Sequence, residues 1–92
     1  MEGEIKKITE NYQNITSQAF NEFKIITDNI INSQITDVKQ IELTLNYMLD
    51  FCYDERMLQL YKELCRYYWD INPQATADYI NYYREMWDSD DV

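Results

Sequence analysis

Leu45-Asn46-Tyr47-Met48-Leu49-Asp50-Phe51-Cys52-Tyr53-Asp54-Glu55-Arg56-Met57-Leu58-Gln59-Leu60-Tyr61 decides how many helices this chain has. The stretch contains neither glycine nor proline and could pass for continuous helix. Its phase says otherwise. Upstream, Val38, Ile41, Leu45, Met48 and Cys52 follow steps of three and four, the stripe of one helical face. Downstream, Met57, Leu60, Tyr61, Leu64, Tyr68 and Ile71 make a second stripe. Carried through as one helix, the second stripe is rotated by roughly 130° from the first. A single rod would then have to bury two different faces. A turn at Tyr53-Asp54, with Asp54 capping the next helix, resolves the conflict and predicts one helix over 38–53 and another over 55–70.

Outward from there, the other boundaries carry local signals. Asn32-Ser33-Gln34-Ile35-Thr36 breaks the pattern, and Asp37 reads as an N-cap with Gln40 placed to complete a capping box. Before the break, Ile5, Ile8, Tyr12, Ile15, Ala19, Phe23, Ile26 and Ile30 fall within a stripe about 80° wide. Phe20 and Ile31 widen it, Ile25 points away, and the repeated four-step after Ala19 keeps the stripe straight. This predicts a helix over about 4–32, roughly 42 Å long. On the other side, Asn72-Pro73 is an N-cap followed by proline at the first helical position. Ala75, Tyr79, Tyr82 or Tyr83, and Met86 give the stripe of a last helix over 73–87, with an acidic tail at 88–92.

One glycine and one proline in 92 residues cannot supply the turns of a sandwich or barrel. The expected fold is a single all-α domain over 1–92, a small helical bundle of one long N-terminal helix and three shorter ones. The long helix either lies across two short ones or pairs with its twin, and its overhang favours a homodimer through Ile8, Tyr12 and Ile15.

A formal charge of −9 disfavours direct binding of nucleic acid or of an acidic membrane, and points to a basic protein partner or to solubility alone. Cys52 and Cys65 sit at apolar helical positions, no signal segment is recognisable, and no run is apolar enough to span a bilayer. Reduced thiols and a cytoplasmic location follow as expectations. With no histidine, no glycine-rich phosphate loop and no pair of acids on an apolar face, neither catalysis nor a cofactor or metal is expected.

Recognition remains. Eight of the nine tyrosines and both tryptophans lie at or after Tyr47, and the segment 67–92 holds six acids against Arg84 alone. Tyr68, Tyr79, Met86 and one of Tyr82 and Tyr83 are expected inside. Tyr67, Trp69, Trp87 and the other tyrosine are expected outside, where such rings serve as binding anchors. With Asp70, Asp78, Glu85 and Asp88 supplying charge, Tyr67, Trp69, Tyr82, Tyr83 and Trp87 form the candidate partner-binding set. The run Arg66-Tyr67-Tyr68-Trp69-Asp70-Ile71-Asn72-Pro73-Gln74-Ala75-Thr76-Ala77-Asp78-Tyr79, continued by Tyr83-Arg84-Glu85-Met86-Trp87, resembles small uncharacterised acidic proteins of Gram-positive phages and mobile elements. In size and acidity the chain is similar to anti-CRISPR and anti-restriction inhibitors. That resemblance implies stoichiometric binding to a basic, nucleic-acid-binding surface, such as that of a nuclease. The alternative is a homodimeric structural or regulatory module whose acidity serves solubility.

Overall fold

The computed structural model describes the backbone from Glu2 to Trp87 and side chains from Thr16 onward. Four helices account for it: α1 (Glu2–Asn32), α2 (Val38–Leu49), α3 (Glu55–Trp69) and α4 (Pro73–Trp87). No strand occurs among the described residues, and no helix of theirs is long and apolar enough to cross a membrane. The all-α expectation holds.

The starts of α2, α3 and α4 are each fixed by a side chain the sequence marks for it. The Asp37 carboxylate accepts from the Lys39 amide, and Asp54 accepts from the amides of Arg56 and Met57. Asn72 Oδ1 accepts from the Ala75 amide ahead of Pro73. The capping box is only half present: among the described residues Gln40 bonds through its carbonyl, to the Thr44 hydroxyl, and not back to Asp37. At the end of α1, Gln34 adopts φ 53°, and the amide of Ile35 reaches back to the Ile30 carbonyl while that of Gln34 reaches Ile31. This is a Schellman ending with a glutamine in the left-handed position that glycine usually fills.

The 31 residues of α1 give it about 46 Å, the long dimension of a flat body of 51 × 38 × 17 Å. Helix α3 lies at the centre and packs against each of the other three, whereas α4 has α3 as its principal neighbour. The core follows from that placement. Ile30 of α1, Ile41, Leu45 and Met48 of α2, and Met57, Leu64 and Tyr68 of α3 are wholly buried.

Three details depart from the expected stripes. Helix α2 stops at Leu49 rather than Tyr53, and tight turns carry the chain onward, Phe51 N–H to Met48 and Cys52 N–H to Leu49. Cys52 is nevertheless buried, which is why the stripe ran on past the helix. In α1 the inner position is Thr27 rather than Ile26, which lies at the exposed edge; Val38, at the first turn of α2, is exposed too. Met86, expected inside, is 48% exposed. It lines a depression with Leu49, Tyr82 and Glu85.

Candidate protein-binding surface

Most of the aromatic wealth ties helices together. Tyr61 of α3 donates its hydroxyl to the Tyr79 carbonyl of α4 at 2.7 Å, and Tyr68 donates to the Glu42 carboxylate of α2. Tyr67 donates to the Ile35 carbonyl in the α1–α2 connection at 2.7 Å. The Trp87 indole N–H donates to the Leu49 carbonyl at 2.8 Å, and its ring meets Tyr53 edge-on. The Tyr53 hydroxyl in turn shares a hydrogen bond with Thr16 of α1. Each apolar ring fills core or rim while its polar tip satisfies a group on another element. Burial pushes the Tyr61 and Tyr68 phenols well above the ordinary tyrosine range, with Cys65 and Glu42 respectively adding to the effect. These hydroxyls are donors at any physiological pH.

The candidate partner-binding residues therefore divide. Tyr67, half-buried, and Trp87, anchored at α2, hold the fold together. Trp69, Asp70 and Tyr83 line a groove of about 430 Å³ between α3 and α4, with Leu58, Cys65 and Ile80 among its apolar walls. Tyr82 and Glu85 belong to a separate depression with Leu49 and Met86. Tyr82 is braced edge-on by Tyr79 at 5.4 Å. Asp78 and Glu85 lie seven residues apart, on one exposed face of α4. Asp88 lies outside the described residues, and Ile8, Tyr12 and Ile15 lie where side chains are not described. The eight described residues of the set thus form no single face.

The groove itself was not legible beforehand. It needs two helices side by side, and a stripe drawn on either one alone does not show it. One signal was available: Lys62 and Arg66 sit a turn apart next to Leu58 and Trp69, where a solvated helix face has no need of apolar neighbours.

The two thiols lie inside the fold. Cys52 and Cys65 are free and buried, and burial pushes both thiols up to about 12. Each stays protonated, the Cys52 thiol facing the Met48 carbonyl, and neither is a thiolate nucleophile at neutral pH. No group of three or more metal-ligating side chains occurs among the described residues.

Compared with protein-family models, with curated proteins and with solved structures, the chain matches none. Function has to be reasoned from this surface alone.

Proposed function

We propose that this small helical bundle is a non-enzymatic protein-binding inhibitor or adaptor of a phage or mobile element. It acts in the cytoplasm of a bacterial host on a basic, nucleic-acid-binding surface of a larger protein, in the manner of an anti-CRISPR or anti-restriction factor. What supports this reading is the outer face of α4, where Asp78 and Glu85 flank the 48%-exposed ring of Tyr82 in a chain of net charge −9. Carboxylates around a pre-braced aromatic suit a Lys/Arg groove built for phosphates. The experiment is capture of such an enzyme from a Gram-positive lysate, followed by affinity against salt for the native chain and for Asp70→Lys/Asp78→Lys/Glu85→Lys. Loss of affinity, with a flatter salt dependence, is expected in the variant; unchanged values refute the reading.

A second reading, a homodimer through α1, is favoured by one observation. Helix α1 has 31 residues, while α2 and α3, which pack on it, have 12 and 15. Solution mass tests it: native dimers that Ile8→Glu or Ile15→Glu returns to monomers would establish α1 as the seam.

A further inference from the structure

Charge on α3 and α4 is sorted by face. The last three of the chain's eight bases are Lys62, Arg66 and Arg84. Lys62 and Arg66 stand one turn apart on the α3 wall of the groove, both exposed. Arg84 lies about 40° around α4 from the groove residue Ile80, whereas Asp78 and Glu85 lie about 140–160° away. The ion pairs among the described residues are Lys24–Asp28 and Arg56–Asp54, so Lys62 and Arg66 carry no carboxylate partner there. Asp70, at the end of α3, is the one acid lining the groove among the described residues. A strongly acidic chain has placed two of its last three cations, Lys62 and Arg66, in the wall of an apolar recess.

The recess has the form of a seat for a helix. Leu58, Tyr61, Cys65 and Trp69 follow one another in steps of three and four along its α3 side, over about 16 Å or three turns. Ile80 and Tyr83 face them from α4, and Trp69 and Ile80 are 50% and 40% exposed. Such rungs receive apolar side chains spaced i, i+3 or i+4, and i+7 on a third helix laid along the pair. Lys62, Arg66, Trp69 and Ile80 are all exposed, so among the described residues nothing covers this third-helix position.

We propose that the α3–α4 groove docks an amphipathic helix of a partner protein whose apolar stripe is flanked by acidic residues. The stripe enters between Leu58, Trp69 and Ile80, and the flanking carboxylates meet Lys62, Arg66 and Arg84. A second copy bringing its own groove would set Lys62 and Arg66 against their twins, so charge disfavours a symmetric self-contact there. The inference goes beyond the basic-surface reading, since it uses the opposite side of α4 and a partner of opposite charge.

Two synthetic peptides of about 18 residues test it, long enough for a stable turn pattern on binding. They share one leucine stripe and differ in carrying Glu or Lys on the flanks. Titration calorimetry is run on the native chain and on Lys62→Glu/Arg66→Glu, two exposed positions, with circular dichroism confirming the fold. The net charge of −9 favours the Lys peptide, whereas the groove favours the Glu peptide, so the two effects pull apart. The expected result is that the Glu peptide binds the native chain about ten-fold more tightly, and that the order inverts in the double variant. Equal binding, no binding, tighter binding of the Lys peptide, or an order unchanged in the double variant would overturn the proposal. So would a native dimer that Ile80→Lys returns to monomer, because a second copy would then fill the groove. The double variant leaves Asp78 and Glu85 in place, so failure here is separable from failure of the basic-partner reading.

Discussion

Helices α3 and α4 have the same length, fifteen residues, and similar aromatic content, yet they come to opposite ends. In α3 six positions are buried: Met57, Leu60, Tyr61, Leu64, Cys65 and Tyr68. In α4 only Thr76 and Tyr79 are. The difference lies in neighbours and not in letters. Helix α3 has a helix on three sides, so Tyr61 and Tyr68 are core and Tyr67 packs half-buried against it, each with a hydrogen-bonded tip. Helix α4 has one principal neighbour, so Tyr82 and Met86 are left as rim and Tyr83 is only partly covered. A tyrosine-rich helix is thus no sign of a binding surface until the number of faces it must bury is known.

The largest effect that would break this contrast is a pair of truncations. Tyr61→Ala removes a buried ring and the strut to α4, and should cost about 3–5 kcal/mol in urea unfolding. Tyr82→Ala, on the exposed side of α4, should stay within about 0.5 kcal/mol. Comparable losses from the two would mean that α4 is as deeply held as α3, and the contrast would fail.

Removing the caps sharpens it further. Asp54→Ala should cost about 1–2 kcal/mol of global stability, since it uncaps the central helix. Asn72→Ala should instead loosen α4 locally, seen as faster amide exchange confined to residues 73–87. The Asp54 carboxyl also sets a pH dependence. The Arg56 side chain bonded to it, at 3.1 Å in the ion pair, and the two cap amides hold its pKa below the ordinary value. A pKa depressed in the folded state means the stabilisation is present above the unfolded value and is lost as pH falls through the folded one. Stability of the native chain should therefore drop below about pH 4 more steeply than that of Asp54→Ala. Parallel acid limbs would show that the cap contributes nothing.

At the alkaline edge the thiols act with the opposite sign. Cys52 and Cys65 are raised to about 12 in the fold, chiefly by burial. Their contribution is complete below the unfolded thiol pKa and fades as pH climbs toward the folded one, from about pH 9 upward. A Cys52→Ala/Cys65→Ala variant should lose less of its remaining stability between pH 8 and pH 10 than the native chain, by roughly 3 kcal/mol for the two thiols together.

How much of this could be read in advance depended on what kind of signal each feature leaves. Helix starts were legible because caps are local: Asp37, Asp54 and Asn72 all act where they were placed, and the phase break located the α2–α3 turn without a glycine. Four inner positions were not, because they are threonines. Thr44 and Thr76 return their hydroxyls to the carbonyls four residues back, and Thr27 turns its own to the Met48 sulfur. A threonine satisfied in this way packs by its methyl group, so a polar letter conceals an apolar position. The fourth, Thr16, bonds Tyr53 across the fold. Asp78, Tyr82 and Glu85 were legible as candidates, but not as one outer face of α4 distinct from Tyr67, Trp69 and Trp87. The groove was not legible either, since it is a property of two helices whose adjacency no single stripe records.

Met86 is the sharpest small test of the same lesson. Its spacing from Tyr79 places it on the inner stripe, and a buried methionine exchanged for a polar residue would cost several times the noise of the measurement. The structure leaves it 48% exposed beside Tyr82 and Leu49. Met86→Gln keeps length and helix propensity, so it isolates burial from backbone effects. The expected change is within about 0.5 kcal/mol, with an unaltered denaturant slope. A loss of about 2 kcal/mol or more would mean that the residue is covered in solution. Repeating the unfolding at a higher protein concentration would then separate the causes. A loss that depends on concentration assigns the cover to a second copy, and one that does not assigns it to the chain itself, in which case α4 packs as α3 does.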